Sequence, residues 1–88
     1  MYRIALRAED PARNVHREYE LSCARDLFGE LTIETRWGRV GAPGFVRRRP
    51  VSSLAEARAL VRRLLRRRAG AEGRLGVPYR VAREVGNL

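Results

Sequence analysis

Apolar and polar residues alternate with a period of two in several stretches of the chain, and the breaks between those stretches divide it into elements. Tyr2, Ile4 and Leu6 alternate with Arg3, Ala5 and Arg7, which predicts a strand with one buried face. Glu9-Asp10-Pro11 interrupts it, because proline donates no ladder hydrogen bond and disfavours helix at the residue before it, so the polar stretch through Asn14 reads as a loop. Tyr19, Leu21 and Cys23 alternate with Glu18, Glu20 and Ser22 in a second strand. Gly29 offers a turn with positive φ, and beyond it Leu31, Ile33, Thr35 and Trp37 share one face of a third strand that should pair with the second as a hairpin. Gly38 and the cluster Gly41-Ala42-Pro43-Gly44 mark another reversal, after which a fourth strand, 45–51, returns beside the third.

At Ser53 the period changes. Leu54, Ala57, Leu60, Val61, Leu64 and Leu65 recur at steps of three and four, while Arg58, Arg62, Arg63, Arg66 and Arg67 cover the opposite side of the same helix. Ser53-Leu54-Ala55-Glu56 fits a capping box, in which the serine and glutamate side chains satisfy free donors of the first turn. Gly70 is placed to end the helix, and arginines in its last turn complement the negative end of the dipole. Residues 71–76 read as a flexible loop, and Tyr79, Val81 and Val85 as a short final strand with Arg83 out of pattern. The expected architecture is α+β: an antiparallel sheet of four to five strands with one amphipathic helix, about residues 53–69, packed across it. No internal repeat is present.

At 88 residues the sequence describes one small domain, 1–88, with no room for a catalytic domain beside a recognition domain. Its 44% hydrophobic and 33% charged residues are those of a folded chain, and no apolar run approaches a membrane span or a signal peptide. Cys23 is the one cysteine, which excludes an intrachain disulfide and a cysteine-based zinc cluster and makes a cytoplasmic location the expectation.

Charge changes the picture most. All 19 basic residues are arginine, against 10 acidic ones, for a net charge of +9. The excess is uneven: residues 1–35 carry −2, residues 36–68 carry +10 and residues 69–88 carry +1. A polyanionic partner fits the middle of the chain, and the planar fork of arginine suits phosphate oxygens.

Thr35-Arg36-Trp37-Gly38-Arg39-Val40-Gly41-Ala42-Pro43-Gly44 resembles the tryptophan-glycine-arginine signature of the WGR domain, including the hydrophobic-Gly-x-x-Gly that follows it. Two further segments match the family in the right order. Asn14-x-x-Arg17-x-Tyr19 is similar to its Asn-x-x-Lys-aromatic-Tyr strand, and Ser52-Ser53-Leu54-Ala55-Glu56-Ala57 to the start of its helix. The sequence departs from the pattern at Glu18, where an aromatic is common, at Phe45, where glutamine often follows the glycine, and at Val77-Pro78, which interrupts a Gly-Tyr pair. The resemblance implies a sheet-and-helix module of the kind that binds DNA breaks in poly(ADP-ribose) polymerases, here a stand-alone bacterial member associated with the nucleoid. It further implies that Trp37 stacks on a nucleotide at the end of its strand and that Arg39 contacts phosphate or a neighbouring domain.

Each candidate has a plainer alternative. Trp37 shares the alternation of Leu31 and Ile33, which alone favours core packing; the adjacent glycine, the strand end and the resemblance make stacking between Arg36 and Arg39 an even rival. Arg39 could grip phosphate through two parallel hydrogen bonds or pair with a carboxylate such as Glu34. Gly38 and Gly41 suffice as turn residues. Arg47, Arg48 and Arg49 lie on a strand, so at most two of the three share a surface. The helix arginines can be simply a solvated face. Cys23 and His16 make a poor nucleophile and base, since Cys23 falls on the apolar face with Tyr19 and Leu21. One histidine and one cysteine supply no metal-ligand set, and there is no Gly-rich phosphate loop of Walker or dinucleotide type, so no cofactor is expected.

The expected function is therefore non-enzymatic nucleic-acid binding, most readily DNA at ends or nicks, with RNA as a second ligand. Trp37 would stack, and Arg36, Arg39, Arg47, Arg48 and Arg49 would neutralise phosphates, with Gly38, Asn14 and Arg17 completing the surface. A different class remains open, a protein interaction module docking an acidic partner through the arginine-rich face.

Overall fold

The computed structural model describes residues 1–88. Strand β1 (Tyr2–Asp10) pairs antiparallel with β2 (Val15–Arg25), which continues through the Asp26–Gly29 turn into β3 (Leu31–Arg39), and β4 (Phe45–Pro50) returns along β3. Helix α1 (Leu54–Ala69) and the short α2 (Ala71–Leu75) follow, and β5 (Arg80–Gly86) closes on the free edge of β1. The sheet order is β4-β3-β2-β1-β5. No helix is long and apolar enough to cross a membrane.

Residues directly opposite each other in adjacent strands share a face, so the register sorts the side chains. Ile4 faces Leu21, Leu6 faces Tyr19 and Cys23 faces Ile33, and these residues form the apolar floor on which Ala57, Leu60 and Val61 of α1 sit. Each such aliphatic side chain taken fully out of water contributes about 1.5–3 kcal/mol before entropy is charged against it.

The other face is open, and across its first four strands arginines and acids are equal in number. Across β1 to β4 it carries Arg3, Arg7, Arg36 and Arg48 beside Glu9, Glu18, Glu20 and Glu34. The Arg36 Nη2 donates to Glu18 Oε1 at 2.6 Å and to Glu20 Oε1 at 2.9 Å, and Arg48 Nε to Glu34 Oε2 at 2.8 Å. Arg7 lies 3.9 Å from the second oxygen of Glu18. Glu18 and Glu20 of β2 and Glu34 of β3 thus engage Arg7, Arg36 and Arg48 on this side, while Arg3 pairs with no acid.

Four local expectations are corrected. β1 runs on to Asp10, where Pro11–Arg13 makes a 3-10 turn that Asn14 closes in the left-handed conformation at φ 55°. Ser53 Oγ accepts the Glu56 N–H at 3.1 Å as a cap should, but the Glu56 carboxylate reaches Ser52 instead of Ser53. Gly70 closes α1 after Ala69 as expected, but at φ −84° and ψ 7° the chain stays right-handed and bends straight into α2, so that residues 71–75 are helical and not a loop, with Ala71 fully buried. Gly76, at φ 76°, caps α2. Finally, the register of β5 shifts between Ala5 and Leu6, so that Leu6 faces Val81 while Ala5 faces Arg83. Ala82 is the extra residue, and it throws Arg83 onto the open face, which is why no single alternation fits this strand.

Candidate nucleic-acid interface

Trp37 sits near the end of β3 on the helix-covered face, opposite Tyr19 on one side and Phe45 on the other. It is half-buried against the core, which makes it both a packing residue and a surface one. Its ring stacks on that of Phe45 with centroids 6.0 Å apart and planes at 29°. Phe45 itself is 69% exposed.

Two glycines allow the backbone to turn so closely beside this ring. A Cβ on Gly44, whose φ is +71°, would come within 2.5 Å of the Trp37 carbonyl oxygen, and a Cβ on Gly38 within 3.0 Å of the Gly44 Cα. The glycines of the Trp-Gly-Arg signature and of the Gly-x-x-Gly therefore meet, and β4 starts directly against Trp37.

The other side of Trp37 opens on a cleft of about 120 Å³ lined by Arg17, Gly38, Arg68, Arg74, Leu75 and Tyr79. Arg17 comes from β2, Arg68 from the last turn of α1 and Arg74 from α2. None of the three is paired with a carboxylate, for the ion pairs involve Arg7, Arg13, Arg36 and Arg48 alone. The Arg68 Nε and the Tyr19 hydroxyl are buried without hydrogen-bond partners. Burial raises the Tyr19 pKa, so the hydroxyl keeps its proton and remains a donor. Unpaired cations beside a flat aromatic wall suit an anionic, planar ligand.

The structure divides the sequence-derived candidates. Trp37, Gly38 and Arg17 converge at the cleft. Arg39 lies opposite Arg17 at the same end and is tied by Nη2 to the Asn14 side-chain oxygen at 2.9 Å. Its partner is thus Asn14, not Glu34, which Arg48 occupies. Arg36 and Arg48 point to the open face, away from Trp37, with their charges engaged by glutamates. Arg47 and Arg49 share the helix-covered face of β4. Cys23 is 1% exposed, and burial pushes its thiol pKa up, which leaves it unreactive.

Sequence reasoning missed Arg68, Arg74 and the site role of Tyr79. Arg68 could have been found, since it continues the stripe of Val61, Leu64 and Leu65 by a further helical step. Arg74 and Tyr79 depend on the bend at Gly70, which no local pattern announces.

The family model for the WGR domain matches residues 2–73. Among curated proteins, an uncharacterized protein of Sinorhizobium fredii, y4dW, is 40% identical over 43 residues, covering 49% of this chain and 21% of that protein. The match thus takes in only about a fifth of that relative's length. No solved structure matches. WGR domains are nucleic-acid-binding modules and not catalytic domains. The family match takes in β1 to β4, α1 and the glycine-bounded turn after Trp37, and the chain belongs to the WGR domain family.

Proposed function

We propose that this chain binds DNA at ends or nicks, with the Trp37 ring against the exposed terminal nucleotide and Arg17, Arg68 and Arg74 neutralising the phosphates beside it. The observation that carries the reading is the cleft next to Trp37, walled by three arginines with no carboxylate partner. A base face is free only where stacking is interrupted, so an aromatic wall beside a cation cluster favours a terminus over continuous duplex. Arg39, braced by Asn14 at the same end, is placed to meet a neighbouring phosphate. No chemical step is part of this function.

Trp37→Ala should weaken binding to an open-ended duplex by about tenfold or more, the order expected for one lost base–aromatic stack, while binding to the same duplex closed by hairpins falls far less. Equal losses on both would remove stacking from the account. The same arginine-rich face also suits an acidic protein segment, a reading supported by the exposed arginines of α1. Binding that ignores DNA ends, together with an acidic protein captured by wild type and lost in Arg39→Ala, would favour that partner.

A further inference from the structure

A second basic feature lies outside the Trp37 cleft. Between β4 and the first half of α1 runs a groove of about 440 Å³ with Arg47, Arg48, Arg49, Glu56, Leu60 and Arg63 along its walls. Arg47, Arg49 and Arg63 pair with no carboxylate. The one acid in the groove, Glu56, accepts hydrogen bonds from the Ser52 hydroxyl and from the Ser52 backbone N–H at 3.0 Å, which hold its pKa below the usual carboxylate range.

Phe45 begins β4 opposite Trp37, two residues before Arg47, the first arginine of the groove. The register puts Phe45, Arg47 and Arg49 on one face of β4, two residues apart. Two strand residues advance roughly 6.6–6.8 Å, about twice the 3.4 Å rise between stacked nucleotides of one strand, so successive arginines meet alternate phosphates of a stacked strand or consecutive ones of a stretched strand. Phe45 offers an exposed ring, and duplex DNA keeps its base faces covered except at a terminus. An aromatic platform followed by regularly spaced cations is the arrangement that holds a single strand.

We infer that the β4–α1 groove takes a single-stranded tail leaving the DNA end bound at Trp37. Phe45 stacks on the first unpaired base, and Arg47, Arg49 and Arg63 neutralise the phosphates that follow. The inference starts from the Trp37 reading but uses a separate set of residues.

The test is fluorescence anisotropy with three DNAs of one duplex sequence: closed by hairpins at both ends, open and blunt at one end, and open with a short unpaired tail of either polarity. In wild type a tail of one polarity should raise affinity over the blunt end by roughly fivefold or more. The double variant Arg47→Ala/Arg49→Ala should abolish that gain while blunt-end affinity stays within about twofold, because the two residues lie opposite Thr35 and Ile33 and do not line the Trp37 cleft. Phe45→Ala should reduce the gain as well. Equal binding of tailed and blunt ends in wild type, or a gain that survives the double variant, would overturn the inference. The two readings fail separately: blunt binding equal to closed binding, with a tail gain present, removes the Trp37 reading alone, whereas blunt above closed with no tail gain removes the groove alone.

Discussion

The Arg68 guanidinium lies over the Tyr19 ring, its central carbon 4.1 Å from the ring centroid. Tyr19 is almost fully buried in β2, so this contact clamps the last turn of α1 onto the sheet and sets one wall of the Trp37 cleft. A single cation is thereby both a structural latch and a candidate phosphate ligand. Arg68→Ala should lower unfolding free energy in urea by about 1–2 kcal/mol through the lost cation–π contact and packing, and weaken DNA binding about threefold or more. Arg68→Lys keeps the charge but not the broad guanidinium over Tyr19, so it should recover DNA affinity better than stability. A wild-type profile in both assays for Arg68→Ala would remove both roles.

The close approach of Gly44 to the Trp37 carbonyl predicts a difference between two glycines of one turn. Gly41→Ala meets no atom within 4 Å and should cost about 1–2 kcal/mol through its left-handed backbone alone. Gly44→Ala adds a clash at 2.5 Å with the backbone of β3 and should cost more and shift the Trp37 emission maximum. Urea unfolding followed by the single tryptophan reads both quantities.

Arg36 is predicted to matter for stability and not for binding. Its guanidinium bridges Glu18 and Glu20 on the open face, and those hydrogen bonds, to Glu18 first, raise its pKa further. Arg36→Gln leaves the largely buried Glu18 carboxylate with only the distant Arg7, at an expected cost of about 1–3 kcal/mol. DNA affinity at matched ionic strength should change by less than about twofold. A large drop in affinity without a drop in stability would return Arg36 to the binding surface.

Tyr2 makes stability fall at alkaline pH. Burial first, and then the hydrogen bond its hydroxyl donates to Glu84 at 2.6 Å, pushes its pKa from 10.0 up to about 12. The fold favours the protonated phenol, so this contribution is fully present below the unfolded pKa of about 10 and is lost as pH rises through about 12. Tyr2→Phe should flatten the decline in urea-unfolding free energy over that window, and an unchanged slope would assign the decline to other groups.

The sheet faces were legible from the sequence because burial on one side forces strict alternation, and Leu21, Cys23 and Ile33 point where that pattern puts them. The same alternation separates Arg36 from Trp37, a consequence that outweighs their adjacency in the signature. What stayed hidden depends on single backbone choices. Gly70 could close α1 into a loop or bend the chain into α2, and only burial of Ala71 decides for the bend. Ala82 breaks the period of β5 by one residue, and a pattern search reads that as noise. The cleft gathers residues from β2, β3, α1, α2 and the approach to β5, so its cation cluster arises from tertiary packing and not from any run in the sequence.

Titration of Trp37 fluorescence with a 5′-phosphorylated blunt duplex, with the same sequence closed by hairpins at both ends, and with a matched RNA, at two salt concentrations, decides whether the ring stacks on an exposed DNA terminus. Stacking at Trp37 should give quenching and tighter binding only with the open DNA ends, with affinity falling as salt rises. Equal, strongly salt-dependent binding to all three with no selective quenching would contradict it.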